Sequence, residues 1–97
     1  MPGMITTCEP GLYLDKYGIR LENELLCVEN DTNDFGTFYS FENITYCPID
    51  VDAIKVSLLT KEAREWLINY HKMVYDNIAS LLNDDERQWL QEYIQKM

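Results

Sequence analysis

The hydrophobic positions of the first half of the chain follow a period of two, the period of a β-strand. Within residues 19–29 the side chains alternate between two faces, and shorter β-prone runs occupy residues 4–8, 12–14 and 38–46. Pro10-Gly11 and residues 15–18 have the composition of turns, and residues 30–36, rich in Asn and Asp, are predicted to be a loop. Since proline cannot donate to a strand ladder, Cys47-Pro48 should end the last strand. The first half is therefore predicted to form a small, mainly antiparallel sheet.

From Thr60 onward the hydrophobic period changes to that of an α-helix. Residues 49–56 are expected to form an extended connector, and Thr60 is a suitable N-cap. The first helix should bury a stripe made of Leu67, Tyr70, Val74, Ile78 and Leu81. Asn83 and Glu86 have the spacing of a capping box that begins a second helix, with a stripe made of Trp89, Leu90, Tyr93, Ile94 and Met97. The predicted fold class is α+β, a small antiparallel sheet followed by a C-terminal helical hairpin.

The composition is that of a small folded domain: the 97 residues are 46% hydrophobic and 26% charged, with a net charge of -9. Such an acidic balance argues against a nucleic-acid partner, because phosphate contacts need a basic surface. Nor does any apolar run reach the length needed to span a membrane. The three cysteines Cys8, Cys27 and Cys47 contain no CxxC pair, which indicates free thiols in a reducing compartment. They are expected to be core or strand residues in a cytoplasmic protein.

The most concentrated chemical signal lies between Glu9 and Glu22. Glu9 stands at a strand end before Pro10-Gly11, and Glu22 lies in mid-strand beside the apolar Leu21. A carboxylate among apolar neighbours is costly to bury unless it is paired or metal-bound. If the two strands pair, both carboxylates could reach one hard divalent cation such as Mn²⁺ or Mg²⁺. Spacing alone leaves open the alternative of two solvent-facing glutamates on a hairpin.

Several segments resemble the Xaa-Pro aminopeptidases (aminopeptidase P) of the pita-bread metallopeptidase family. Residues 4–13, MITTCEPGLY, and 18–23, GIRLEN, are similar to the last two active-site strands of that family. Residues 41–50, FENITYCPID, resemble the following strand of its long cytosolic branch. Residues 59–62, LTKE, and 66–71, WLINYH, resemble the C-terminal helical extension of the same branch. The resemblance covers essentially the whole chain, with its motifs in order.

This resemblance implies a role for three residues. In the family, two metal ions, commonly Mn²⁺, are held by two aspartates, a histidine and two glutamates. Glu9 would be the glutamate that binds one ion and contacts the bridging water, and Glu22 the glutamate that bridges both ions. Arg20 matches an arginine beside the catalytic site, where it could orient an acidic ligand; a surface ion pair is the alternative for this residue. The implied domains are 1–57, the end of the catalytic pita-bread domain, and 58–97, the helical extension.

The chain also departs from the family pattern. Leu12 stands where an aromatic residue is common and Asn43 where a proline is common, although neither is a ligand position. The two aspartates and the ligand histidine have no counterpart before Glu9. His71 cannot replace that histidine, since it follows both glutamates, and it is interpreted as an ordinary helix-face residue. We therefore expect this chain alone to bind metal weakly or not at all and to be inactive on Xaa-Pro peptides.

Two further hypotheses stay open. The first is a non-enzymatic association module derived from the peptidase, in which residues 60–97 form subunit contacts. The second is a small acidic metal-binding protein. Whether the chain is an enzyme fragment or an association module, exposed strand edges predict a homodimer or higher self-association. In the whole enzyme, its partner would be the rest of the catalytic domain. The chain has no Ser/His/Asp set, no marked reactive cysteine and no glycine-rich phosphate loop.

Overall fold

The structure, a computed structural model, describes residues 1–97. The chain separates into two units, Met1–Thr45 and Tyr46–Met97. All strands lie in the first unit and both α-helices in the second. This order confirms the predicted α+β class, in which a small antiparallel sheet precedes a helical hairpin.

Antiparallel pairing accounts for all strands of the first unit, Met1–Thr45. A three-stranded sheet has the order β1-β4-β5, and a separate two-stranded sheet pairs β2 with β3. The five strands are β1, Ile5–Cys8; β2, Gly11–Tyr13; β3, Gly18–Arg20; β4, Asn23–Asn33; and β5, Gly36–Asn43. The turn predicted at residues 15–18 joins β2 to β3, where the Leu14 N–H donates to the Tyr17 carbonyl at 2.7 Å.

Two predictions about these strands are wrong. Residues 19–29 do not form one strand, because the ladder is interrupted at Leu21-Glu22 between β3 and β4. Residues 30–36 are not a loop, because β4 continues to Asn33 and β5 begins at Gly36. Strands β4 and β5 therefore extend further towards their connecting turn than the hydrophobic pattern indicated. The segment predicted as one strand is divided between β3 and β4.

The Asn- and Asp-rich composition of residues 30–36 instead serves a bulge and a tight turn. A register shift between Glu29 and Asp31 leaves one residue of β4 unpaired, which is the geometry of a β-bulge. At the turn, the Asn33 side-chain oxygen accepts from the Phe35 N–H at 2.8 Å. Gly36 has a φ of 127°, a region that glycine enters without steric cost. Turn residues and extended structure therefore coexist in this segment.

Little of the first unit is buried. Cys27 on β4, 6% exposed, is its one buried hydrophobic residue. Large apolar side chains on the other strands remain open to solvent, among them Ile5, Leu12, Tyr13, Ile19 and Phe41. Small sheets need a covered apolar face for independent stability, and residues 1–45 do not cover their own.

The second unit consists of a short irregular segment and the helical hairpin. The segment contains 3-10 turns at Val51–Ala53 and Val56–Leu58, so the connector predicted as extended is partly coiled. Helix α1 spans Lys61–Ile78, a 3-10 turn follows at Ala79–Leu81, and α2 spans Asp84–Ile94.

Both helices begin at the predicted caps. The Thr60 hydroxyl accepts from the Ala63 N–H at 3.1 Å. The Asn83 side chain accepts from the Glu86 N–H at 2.9 Å, and the Glu86 carboxylate accepts from the Asn83 N–H at 3.0 Å. These bonds satisfy backbone donors that have no partner within the helix, which confirms both helix starts.

The core of the second unit lies on the predicted stripe of α1, except at its end. Leu67, Tyr70 and Val74 are buried together, and Leu90 from α2 is 2% exposed. Leu81, by contrast, is 81% exposed. The α-helix ends at Ile78, and the tighter 3-10 turn that follows rotates residue 81 out of the 3.6-residue phase. The prediction that Leu81 belongs to the buried stripe is wrong for this reason, and Trp89 of the second stripe is likewise exposed.

Helix α1 holds the start of the second unit through two side chains. The Tyr70 hydroxyl donates to the Cys47 carbonyl at 2.6 Å. The next residue, His71, accepts at Nε2 from the Ile49 N–H at 3.1 Å. His71 lies on a face of α1, as interpreted, and this face is buried, since the side chain is 2% exposed. Its position between Tyr70 and Val74 places it on the buried stripe.

Helix α2 and the residues after it hold the first 3-10 turn. The Tyr93 hydroxyl donates to Asp50 Oδ1 at 2.9 Å, and the Lys96 ammonium donates to Asp52 Oδ1 at 3.2 Å. The hydrogen bond to the Asp50 carboxylate raises the pKa of Tyr93 above its ordinary value of 10.0. Each bond spans more than 40 residues of sequence, so the segment before α1 is tied to both helices.

We expect Leu67→Ala to destabilise the helical unit by about 2–5 kcal/mol, because it removes a buried side chain and leaves a cavity. The matched control is Leu81→Ala, which deletes the same atoms at an exposed position and should change the free energy of unfolding by less than about 0.5 kcal/mol. Urea unfolding followed by far-ultraviolet circular dichroism measures both. Equal losses for the two variants would contradict the placement of the core.

Candidate metal-binding site

The β1–β4 and β2–β3 ladders share one antiparallel register, with an interruption between them. Glu9 and Glu22 occupy opposed positions at this interruption. Cys8 pairs with Asn23 at the end of the β1–β4 ladder, and Gly11 pairs with Arg20 at the start of the β2–β3 ladder. When the register is extended by one residue beyond the Cys8–Asn23 pair, Glu9 lies opposite Glu22. In the gap, the Leu21 N–H donates to the Pro10 carbonyl at 3.1 Å, so the two chain segments stay hydrogen-bonded there.

This position explains why the ladder is interrupted. Pro10 has no N–H and cannot donate to the opposite strand, so regular pairing stops where the glutamates stand. Residues directly opposite each other in an antiparallel pair have Cβ atoms about 5 Å apart and side chains on the same side. The sequence prediction that paired strands bring these two carboxylates together therefore agrees with the register.

Arg20 approaches Glu22 from its own strand. The Arg20 Nε lies 3.7 Å from Glu22 Oε2. The two side chains are 53% and 40% exposed, and solvent screening limits such a pair to about 1 kcal/mol or less. The ion pair therefore contributes little to stability.

The two glutamates fit a hard divalent cation in kind but not in number. Carboxylate oxygens are the donors that Mn²⁺ and Mg²⁺ prefer. No group of three or more His, Cys, Asp or Glu side chains that could hold a metal ion occurs in the structure. His71 belongs to the second unit, buried on α1. The two glutamates therefore do not form a complete metal site by themselves.

The cysteines add no further donor group. All three are free, as predicted. Cys8 lies on β1 and Cys27 is buried on β4. Cys47 is neither a core nor a strand residue, contrary to the prediction, because β5 ends at Asn43 and leaves this residue exposed before Pro48.

None of the helices combines the length and the apolar composition that crossing a membrane requires.

Residues 37–97, more than half of the chain, match the family described as "C-terminal region of peptidase_M24". The chain belongs to this family. The match begins on β5 and extends through both helices, so it includes the helical unit but not the glutamate pair.

Similarity to curated relatives extends over the glutamate pair as well. The chain is 43% identical over 94 residues to a probable Xaa-Pro aminopeptidase P of Laccaria bicolor, covering 91% of this chain and 15% of that protein. It is 41% identical over 92 residues to Xaa-Pro aminopeptidase 2 of Rattus norvegicus, covering 94% of this chain and 13% of the relative. Aminopeptidase P1 of Arabidopsis thaliana is 40% identical over 93 residues, which cover 92% of this chain and 14% of the plant protein.

A solved structure shares the fold. It is the X-prolyl aminopeptidase of Caenorhabditis elegans, described as a cytosolic enzyme with a di-nuclear active site. The TM-score is 0.80 at 34% identity, over 97% of this chain and 16% of that enzyme. This confirms the resemblance to Xaa-Pro aminopeptidases and the assignment of the chain to part of a pita-bread fold. The chain spans about one seventh of the length of the relatives it matches.

We expect the isolated chain to bind Mn²⁺ no more tightly than about 10⁻⁴ M, because two carboxylates leave most of the coordination shell to water. Isothermal titration calorimetry should give the same weak binding for Glu22→Gln and for the control Glu24→Gln, which removes an exposed carboxylate on the adjoining strand. Sub-micromolar binding that is lost only in Glu22→Gln would show that the chain forms a complete site by itself.

Proposed function

We propose that this chain forms the C-terminal part of a metal-dependent aminopeptidase that removes the N-terminal residue from peptides with proline in the second position. The observation that supports the proposal is the register that sets Glu9 opposite Glu22, in a chain similar to Xaa-Pro aminopeptidases over nearly its whole length. Two carboxylates at opposed positions are a donor arrangement that a dinuclear centre can use.

Each of the three residues has a distinct role in this proposal. Glu9 would hold one ion and Glu22 would bridge both. Arg20, within ion-pair distance of Glu22, would fix the direction of that carboxylate, as residues that hydrogen-bond metal ligands do. Two divalent ions, which we propose to be manganese, would supply the Lewis acidity that activates water and polarises the scissile carbonyl.

The remaining donors would come from other parts of the catalytic domain, so this chain alone would be inactive. We propose that residues 1–57 belong to that domain and residues 58–97 to the helical extension. A cytoplasmic location is part of the proposal, supported by the similarity to a cytosolic nematode enzyme. Peptides are the proposed substrates, and the acidic composition argues against nucleic acid.

A chimera tests the proposal with a complete active site. This chain replaces the aligned region of the Caenorhabditis elegans enzyme, and hydrolysis of an Xaa-Pro peptide is measured with Mn²⁺ present. We expect the chimera to be active. Glu9→Gln and Glu22→Gln should each lower kcat/KM by at least about 100-fold, and Arg20→Ala by about 10- to 100-fold, the range for groups that orient metal ligands.

Glu24→Gln is the control in the chimera, since it removes an exposed carboxylate on the adjoining strand β4 that lies outside the opposed pair. Its kcat/KM should be unchanged. Metal content measured on each purified variant separates lost metal from lost folding. A chimera that stays folded and active after Glu22→Gln would refute the assigned roles.

The second candidate function is an association module. Beyond the subunit contacts expected of residues 60–97, the uncovered apolar side chains of the sheet unit, Met1–Thr45, favour self-association. Leu12 and Ile19 are directly paired across β2 and β3 and are 64% and 63% exposed. Exposed apolar patches of this kind are frequent at protein–protein contacts. Self-association into a homodimer or larger oligomer is the proposed outcome for the isolated chain.

Sedimentation equilibrium should therefore give a mass above the 11.5 kDa of one chain. The double variant Leu12→Lys with Ile19→Lys should return the mass towards the monomer, because charged residues oppose burial of this face. Leu58→Lys, at a residue of the helical unit that is 76% exposed, is the control and should leave the mass unchanged. A monomer at every concentration would exclude the association module.

A further inference from the structure

The buried imidazole of His71 has one hydrogen-bond partner and no counter-ion. Its Nε2 accepts from the Ile49 N–H at 3.1 Å, while Nδ1 is buried without a partner. A ring nitrogen that accepts a hydrogen bond carries no proton, so the neutral ring must carry its proton on Nδ1. The hydrogen bond to Ile49 therefore requires this one tautomer of neutral imidazole.

The side chains around His71 include none that would stabilise an imidazolium. A cavity of about 320 Å³ is lined by this ring, by Lys72, Tyr75, Gln91 and Gln95, and by apolar side chains, with no side-chain carboxylate among them. Met97 also lines it, and its terminal carboxylate makes no hydrogen bond to His71, whose Nδ1 has no partner. The ionisable groups of α1 in this region are the Lys72 ammonium and the phenols of Tyr70 and Tyr75. A neighbouring cation opposes a second positive charge.

The other two packed elements do not change this balance. Helix α2 and the residue that caps it present uncharged amides, those of Gln91 and Gln95. On the segment before α1, Cys47 is exposed, and the Asp50 carboxylate already accepts from the Tyr93 hydroxyl and from a backbone N–H. The Asp52 carboxylate pairs with the Lys96 ammonium. No carboxylate therefore forms a hydrogen bond or an ion pair with His71.

Burial accordingly lowers the pKa of His71 below its ordinary value of 6.5, against an opposing influence of the Ile49 backbone. The Ile49 N–H donates to Nε2, and Nε2 can accept this bond only when the ring is neutral. The hydrogen bond therefore favours the neutral ring as well. Protonation would remove this bond and leave a charge in a buried site.

We propose that His71 is a pH-sensitive latch, which holds Ile49 on helix α1 while it is neutral and releases it when it is protonated. Ile49 lies near the start of the second unit, which begins at Tyr46. The Tyr70 hydroxyl bond to the Cys47 carbonyl involves neither ring nitrogen of His71, so the latch opens at Ile49 and the neighbouring bond remains.

The direction of the pH dependence follows from the lowered pKa. Below pH 6.5 the released state binds a proton that the latched state does not, so the latched state loses stability as the pH falls from 6.5 towards the lower pKa. Above pH 6.5 both states are neutral and the latch is at full strength. His71 is the only histidine of the chain, so a transition in this range can be assigned to it.

Amide hydrogen exchange of Ile49, measured by NMR on the full chain, tests the latch. After correction for intrinsic exchange, we expect protection of this amide to fall as the pH is lowered from 7.5 to 5.0, by up to about tenfold for each pH unit between the two pKa values. His71→Gln keeps an oxygen that can accept from the Ile49 N–H but does not titrate, and should abolish the pH dependence. Tyr70→Phe, the control, should weaken protection while the pH dependence remains.

Ring ¹⁵N chemical shifts of the unmodified chain give a second measurement that needs no variant to fold. They should show a protonated Nδ1 and an unprotonated Nε2 at pH 7.5, with a pKa below 6.5. A proton on Nε2, or an Ile49 protection that stays constant while His71 titrates, would overturn the proposal. An unchanged pH dependence in His71→Gln would do the same.

Discussion

The interrupted antiparallel register of the first unit is the constraint on which the candidate site depends. One register runs from β1–β4 into β2–β3, and Pro10 prevents a regular ladder between them. The interruption leaves Glu9 and Glu22 opposite each other without removing the strands that hold them. A shift of one residue in either strand would turn one carboxylate to the other face of the hairpin. The opposed placement of the two glutamates therefore depends on this one register.

Such a placement is unfavourable for a hairpin that serves only to fold. Like charges at directly opposed positions destabilise an antiparallel pair, and the only basic residues among residues 1–45 are Lys16 and Arg20. Arg20 interacts with Glu22, at a distance of 3.7 Å and in a solvent-exposed setting. This pair offsets the repulsion weakly. A divalent cation would offset it more effectively, which is the physical reason to expect these side chains to function as ligands.

Sequence reasoning predicted what depends on local signals. The caps at Thr60 and Asn83, the stripe through Leu67, Tyr70 and Val74, and the antiparallel character of the sheet all follow from spacing within a few residues. The errors arise where tertiary geometry decides. Residues 30–36 have the composition of a loop, yet a bulge and a two-residue turn need the same residue types.

The treatment of His71 and Leu81 shows the same limit in the helices. The spacing predicts burial for Leu81 and gives His71 only a helix-face position. The structure exposes Leu81, because α1 ends before residue 81, and it buries His71, which accepts from the Ile49 N–H. Neither cause can be read from residue type within a helical window.

The two units differ in how much of their apolar surface they bury. The buried core lies in the helical unit, whereas the candidate metal ligands lie in the sheet unit. In the helical unit, the segment before α1 is bound by side chains of both helices, and its core includes Leu67, Val74 and Leu90. In the sheet unit, apolar side chains and the glutamate pair are both exposed to solvent. Exposed side chains contribute little to folding free energy, so substitutions at Glu9, Glu22 and Arg20 should leave the chain folded. Substitutions in the helical core should do the reverse. The glutamate pair can therefore lie on a weakly packed hairpin, provided that another surface covers the apolar side chains of the sheet.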